Sequence, residues 1–452
     1  MIIYILNRDI LNQDMIDDFG VKNYLKLRIG NKSIFEIFNE AFRDFEIQII
    51  NSVDEINNLK IKQLLITSNF IFKDFKLLKN YIKFIIQAHI DLMVGDFNQA
   101  FIYYGNISLI KKNKQFNLIY KIPIPLNAID IGDYEKFKNL VNQNPDSRHF
   151  NKLKIKNKVY RKESSEMKKL DSEYLFLKNV PENLSHFYPE VYELKKLKNK
   201  YYYEMLAYPY KDFSYQYLSQ TITKYDLSNI LNLLNEYFSK SVIHDNSIYN
   251  KDYDFNFLIE KNKIRYKLIR SNKVLFQKLN QFTLSFFNMT IEDHQKRIEN
   301  EIIINKDDYI NSQRIFSHGD LCFSNILYSK KDNKIILIDP RGFENNGIRS
   351  PYYDFAKLSH SILGKYDLII NNKVKLVNTS NLKFELIFDK GFELDDKIFL
   401  NFIKKMNLKI SLIRLIESSL FLSMLPLHKE NLRKCLNLCI RSFEVFNEYK
   451  KN

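Results

Sequence analysis

The sequence predicts an α/β domain with a mostly parallel sheet flanked by helices over residues 1–141, followed by an α+β domain of two lobes, 142–208 and 209–452. Three observations carry this division. Short apolar runs alternate with helical periodicity as far as about residue 140, the strand–helix–strand order that builds a parallel sheet. The stretch 142–148, NQNPDSR, is polar with one proline and reads as a boundary. Beyond residue 217, long helical segments dominate. With 452 residues and 45% hydrophobic content, the chain has material for separate cores.

In the first part the strand-like runs are 2–6, 47–50, 63–67, 91–94 and 101–104, and residues 34–45 and 75–86 are helical. In the second part 152–161 and 200–206 are strand-like with a helical run at 167–178 between them, the outline of a small β-rich lobe. Helical segments at 230–238 and 395–449 then enclose short strands at 314–316, 326–328 and 334–338.

Lys plus Arg number 69 against 53 Asp plus Glu, a net +16, so the surface attracts anions such as nucleotides, sugar phosphates, nucleic acid or an anionic membrane face. The lysine pairs are scattered and no block interleaves arginine with base-stacking aromatics, so nucleic acid is not an expected partner. Three cysteines, at 322, 435 and 439, make no disulfide framework. The apolar amino terminus is broken by Asn7, Arg8 and Asp9, which fits neither a signal peptide nor a spanning helix. The expectation is a soluble cytoplasmic protein, with the oligomeric state open.

Residues 316–342 read FSHGDLCFSNILYSKKDNKIILIDPRG. Phosphoryl transfer to a hydroxyl needs one carboxylate to orient the nucleophile and accept its proton, and oxygen ligands to hold Mg²⁺ against nucleotide phosphates. In H-G-D-x-x-x-x-N, Asp320 and Asn325 lie five residues apart, close enough for one to meet the nucleophile and the other the metal. Asp339 ends an apolar strand, where a metal-binding carboxylate is rigidly held.

This segment resembles the catalytic and metal-binding segments of the aminoglycoside phosphotransferase and choline kinase group. The resemblance implies an ATP- and Mg²⁺-dependent phosphotransferase with Asp320 as base, Asn325 and Asp339 as metal ligands, and His318 supporting the catalytic loop. Asp354, in Y-D-F-A, matches the acidic residue that braces that loop from a following helix. Arg341, after Asp339-Pro340, meets either a phosphate, an anionic substrate or a carboxylate. Acidic residues near Asp354 would read a cation if the acceptor is choline-like.

A kinase also needs a strand cation for the α and β phosphates and a helix glutamate to hold it. Lys162 with Glu173 is the expected pair; a register slip of one residue would make Arg161 the cation instead. Residues 201–208, YYYEMLAY, resemble the strand leading to an interlobe hinge, where the backbone from Glu204 to Leu206 would meet the adenine. Residues 147–158 contain no glycine, so no Gly-rich phosphate loop is expected.

The amino-terminal part resembles sugar-phosphate nucleotidyltransferases at 24–34, YLKLRIGNKSI, and at 128–135, AIDIGDYE. It departs from them where residues 7–12, NRDILN, replace the glycine-rich loop, and where Asn69 stands in place of the metal aspartate. Asp130 could still supply one ligand, and Asp96 is either a further acid or a turn residue. The expectation is a degenerate domain that binds a sugar or nucleotide or mediates assembly. The whole chain is then expected to phosphorylate a hydroxyl of a sugar, polyol or amino alcohol in capsule or other surface-polysaccharide precursor metabolism. The rival readings are a catalytically inactive binding or scaffold protein and a bifunctional enzyme with an active nucleotidyltransferase domain.

Overall fold

The computed structural model describes residues 2–7, 15–16, 23–29, 32–57, 62–72, 75–87, 91–95, 101–111, 120–122, 128–133, 137, 151–156, 159–164, 166–197, 200–244, 250–379, 383–389 and 393–451. The chain forms two compact units, Met1–Arg148 and His149–Asn452. The expected boundary segment 142–148 and Asp96 lie outside the described residues.

The first unit is built on a sheet of six strands, in the order β2-β1-β3-β6-β5-β7. These are β1 (Ile2–Leu6), β2 (Glu46–Ile50), β3 (Gln63–Thr67), β5 (Leu92–Gly95), β6 (Phe101–Gly105) and β7 (Tyr120–Ile122). A separate pair joins β4 (Phe70–Phe72) to β8 (Ala128–Asp130). The sheet is mostly parallel, as expected: among its described strands β1 is parallel to β2 and β3, and β5 to β7, while β6 is reversed and runs antiparallel to both of its neighbours. Only five residues separate β5 from β6, too few for the crossover that a parallel neighbour requires, so the chain reverses as a hairpin. Helix α1 (Ile34–Ala41) starts at a capping box in which Ser33 and Glu36 satisfy each other's backbone N–H. Helix α2 (Phe75–Gln87) follows β4.

In the second unit a four-stranded antiparallel sheet has the order β9-β10-β12-β11, with β9 (Asn151–Lys156), β10 (Val159–Ser164), β11 (Val191–Leu197) and β12 (Lys200–Leu206). The single strand expected at 152–161 is a hairpin of two, and β11 was not foreseen, since its sequence VYELKKL lacks a clean alternation. Helix α3 (Met167–Lys178) packs on this sheet against β11 and β12.

The rest of the unit is largely helical. It comprises helices α4 (Lys224–Lys240), α5 (Tyr253–Ser271), α6 (Tyr352–Ile362), α7 (Ile410–Met424) and α8 (Leu432–Lys451), and a hairpin of β13 (Ile326–Ser329) and β14 (Lys334–Leu337) against which α4 packs. The helical stretch expected at 395–449 is three helices, because turns at 406–409 and 425–431 interrupt it. The window Ile410–Leu427, with mean hydropathy 1.6, is long and apolar enough to cross a membrane, yet 78% of it is buried inside the protein. It packs on α6 and α8 as a core helix. Cys322, Cys435 and Cys439 are buried free thiols.

One apolar core runs through both lobes of this unit, from Leu170, Phe176 and Tyr203 to Phe316, Phe355 and Leu415. Phe176 of α3 packs against Phe316 with ring centroids 4.6 Å apart and ring planes tilted by 31°. This contact anchors the small sheet's helix beside the H-G-D segment.

Candidate active site

Alternation along β10 decides which of two adjacent cations faces inward. Lys162 is buried and its Nζ lies 2.8 Å from Asp339 Oδ1 and 2.5 Å from Glu173 Oε1 of α3. Tyr203, opposite Lys162 on β12, donates its hydroxyl to the same Glu173 oxygen. Burial alone would lower the Lys162 ammonium, but Glu173 and Asp339 beside it raise it above the ordinary lysine range. Arg161 points to the opposite face, where it pairs with Glu204 at 2.6 Å and lies 4.2 Å over the Tyr202 ring. The register is therefore the one that puts Lys162, and not Arg161, at the site.

Glu204 and Leu206, expected to meet an adenine through their backbone groups, lie at the end of β12. Glu204 pairs across the ladder with Arg161, and the Leu206 N–H donates to the Glu190 carbonyl at 2.9 Å. These positions sit in a central strand whose backbone groups are taken up by neighbouring strands. The chain leaves the sheet only at Ala207.

The H-G-D segment is fixed by a chain of hydrogen bonds that leaves little freedom. His318, fully buried, accepts the Asp320 N–H on Nδ1 at 3.2 Å and donates Nε2–H to the Ile338 carbonyl at 2.8 Å. Burial lowers the imidazole's proton affinity, consistent with this neutral tautomer. The Arg341 N–H donates to the His318 carbonyl at 2.9 Å, and the Ile338 N–H to the Asn325 carbonyl at 3.0 Å. The loop carrying Asp320 and the strand end carrying Asp339 are thus stitched together on both sides of His318.

Asp354, at the first turn of α6, accepts the Gly319 N–H and the Ser317 hydroxyl, each at 2.7 Å. It is completely buried, and burial pushes its carboxyl up against the opposing pull of His318 and those hydrogen bonds. Gly319 has φ +75°, and a Cβ there would lie 2.7 Å from Arg341 Cβ, so both conformation and space require glycine.

Asn325 donates its Nδ2–H to the Asp320 carbonyl at 2.8 Å, which turns its carboxamide oxygen away from the loop's own backbone. Asp339 sits in the left-handed region at φ 56°, with its side chain 44% exposed. One carboxylate and one carboxamide oxygen, both hard ligands, suit Mg²⁺ that also takes oxygens from nucleotide phosphates. Among the described residues there is no group of three or more His, Cys, Asp or Glu that could hold a metal ion.

Lys357 was not singled out from sequence, although it stands three residues after Asp354 and so on the same face of α6. Its Nζ lies 2.7 Å from Asp320 Oδ1, and this carboxylate holds the buried ammonium above its ordinary range although burial opposes it. The next neighbours are cationic too. Arg341 lies 4.0 Å from the Phe257 ring and 4.6 Å from the Tyr353 ring, and Lys261 of α5 donates to the Tyr353 hydroxyl. Burial would raise the Tyr353 phenol, yet Lys261, Arg341 and Lys357 together bring it down to about 7. The acidic, choline-reading face expected near Asp354 is therefore absent among the described residues. Asp354 is spent on the Gly319 N–H and the Ser317 hydroxyl, and the side chain that pairs with Asp320 is the cation Lys357.

In the first unit Asn69 and Asp130 meet. Asn69 Nδ2 donates to Asp130 Oδ1 at 2.8 Å, and the Gly132 N–H donates to the same oxygen at 2.8 Å. The buried Asn69 Oδ1 has no hydrogen-bond partner among the described residues.

No family model and no curated protein matches the chain. Among the solved structures that it resembles are aminoglycoside phosphotransferases. An aminoglycoside-3'-phosphotransferase of type VIII is 11% identical, with 57% of this chain and 84% of that chain covered and a TM-score of 0.34. A thermostable mutant of aminoglycoside phosphotransferase APH(4)-Ia, in ternary complex with ADP and hygromycin B, is 12% identical, with 69% and 97% covered and a TM-score of 0.39. The apo form of such a mutant is 10% identical, with 64% and 87% covered and a TM-score of 0.37. Likeness at this level assigns neither activity nor substrate, and the chemistry has to follow from the side chains.

Proposed function

We propose that the chain is an ATP- and Mg²⁺-dependent phosphotransferase that phosphorylates a hydroxyl group of a small metabolite at Asp320. The observation that carries this reading is the meeting of Lys162 with Asp339 across 177 residues of sequence, with Glu173 behind the lysine. A buried lysine held by a helix glutamate and set against a half-exposed carboxylate costs desolvation, and a purely structural core would be as stable with apolar residues there. Its use is to hold a cation ready for nucleotide phosphates.

In this reading Asp320 orients the acceptor hydroxyl and takes its proton, and Lys357 keeps that carboxylate in place. His318 and Asp354 fix the loop. Asn325 and Asp339 would hold Mg²⁺, which would supply positive charge to offset that of the nucleotide phosphates. Lys162 binds and orients the phosphate chain. The Asn69–Asp130 hydrogen bond favours a non-catalytic first unit, since the carboxamide nitrogen occupies the carboxylate oxygen that a metal would need. The link to surface-polysaccharide precursors rests on the sequence resemblance of that unit alone.

The test is ADP formation from ATP and Mg²⁺ across a panel of sugars, polyols and amino alcohols, with Asp320→Ala as control. Turnover that depends on Asp320 is expected. Turnover that survives Asp320→Ala removes Asp320 as base, and ATP binding without turnover on any acceptor favours a binding protein.

A further inference from the structure

Beside Asp320 the charges do not balance. Lys357 pairs with Asp320 itself at 2.7 Å. A pocket next to it is lined by Tyr253, Asp254, Phe257, Arg341, Arg349 and Tyr353 among others. The acids at this pocket are already engaged. Asp254 faces Arg314 at 3.3 Å and accepts the Ser350 N–H at 2.7 Å. Glu344 accepts the Ser172 hydroxyl at 2.8 Å and lies 3.4 Å from Arg349.

After these pairings two half-buried cations remain, Arg341 and Lys261. The Arg341 guanidinium is clamped between the Phe257 and Tyr353 rings and has no carboxylate partner among the described residues. Lys261 has the Tyr353 hydroxyl as its polar contact and stands 5.0 Å from that ring's centroid. An ionised Tyr353 would offset only one of the two. Holding like charges together on a half-buried surface is costly unless something of opposite sign arrives there. Contact with two aromatic rings also limits the freedom of the guanidinium, whose fork of donors suits bidentate capture of a carboxylate or phosphate.

We infer that the acceptor is an anion: a hydroxyl compound that also bears a phosphate or carboxylate group, which Arg341 and Lys261 bind while its hydroxyl lies at Asp320. This rests on the phosphotransferase reading and narrows it, since neutral polyols and cationic amino alcohols would leave at least one of the two cations unanswered. The nucleotide's own phosphates are the competing explanation for Arg341, and the test separates the two.

The full chain is first titrated with Mg²⁺ and a non-hydrolysable ATP analogue in a calorimeter. Failure to bind removes the phosphotransferase reading and the inference with it. With the analogue saturating, inorganic phosphate is then added. Saturable binding is expected, weakened at least tenfold in Arg341→Gln and in Lys261→Met but largely kept in Arg341→Lys, with analogue affinity unchanged in all three. Phosphate that does not bind the loaded protein, or binds the variants as it does the wild type, overturns the inference while the phosphotransferase reading stands. So does an Arg341→Gln variant that loses affinity for the analogue instead. In turnover, a polyol is compared with its phosphate ester and its carboxylate. At least a tenfold higher kcat/KM is expected for one of the charged forms, and which one identifies the group; a preference for the neutral polyol overturns the inference.

Discussion

Replacing Lys162 by methionine separates what the buried ion pair does for folding from what it does for chemistry. The lysine is 2% exposed and Glu173 5%, so removing the ammonium leaves a carboxylate in the core with no counter-charge. Breaking such a pair costs about 3–5 kcal/mol. Glu173 keeps the Tyr203 hydroxyl as a donor, and Asp339 is half-exposed and can be hydrated, so the lower end applies, about 3 kcal/mol. For a unit of this size that is roughly a 5–10 °C fall in Tm. The double variant Lys162→Met/Glu173→Leu removes both charges at similar volume and should recover most of that loss, because an apolar pair needs no counter-ion. Neither variant should bind Mg-ATP with wild-type affinity. Thermal unfolding and nucleotide calorimetry on the two variants read the effects separately. A single variant that loses less than about 1 kcal/mol, or a double variant that stays fully active, refutes the reasoning.

Asp354→Ala leaves the Gly319 N–H and the Ser317 hydroxyl without their acceptor, so it should cost about 2–4 kcal/mol and lower kcat more than it raises the KM for ATP, measured by unfolding and steady-state assay. Gly319→Ala meets φ +75° and the Arg341 side chain at once; a loss of roughly 1–2 kcal/mol and a displaced Arg341 are expected, and a variant of unchanged stability and rate speaks against the close approach. The Tyr353 phenol is brought down to about 7 from an ordinary value of 10.0, so between those values the unfolded chain binds more protons and stability rises with pH. That contribution is complete above about pH 10 and is lost as the pH falls through about 7. Tyr353→Phe should flatten this part of the Tm–pH curve, and phenolate absorbance in the wild type should titrate near neutrality.

How far the site could be read from sequence follows from how local its parts are. His318, Asp320, Asn325 and Asp339 fall within one short segment whose spacing limits what those groups can do, and the strand that ends in Asp339 shows as the apolar run before it. Lys162 and Glu173 were legible only as a pair that a register slip would have reassigned; the alternation of β10 settles it, and no sequence pattern could, because the strand's burial comes from α3 and β12. The backbone partners of Glu204 to Leu206 were not legible, because an apolar strand looks alike along its length and its partners are decided by the neighbour β11. Lys357 carried a signal that was missed, its i+3 relation to Asp354. Lys261 and Arg341 carried none, since their meeting at Tyr353 depends on how α5 packs beside α6. In the first unit the mostly parallel sheet was legible, and the one reversed strand, β6, follows from a connection too short to cross over, a constraint of length rather than of residue type.

The claim that Asp320 is the base of a nucleotide-dependent transfer is tested most directly by comparing the wild type with Asp320→Asn, a change that removes the charge and keeps the shape. With Mg-ATP and a hydroxyl acceptor, ADP formation should fall by about 10²–10⁴-fold while the affinity for Mg-ATP stays within a factor of about two. ADP formation at the wild-type rate in Asp320→Asn would contradict it.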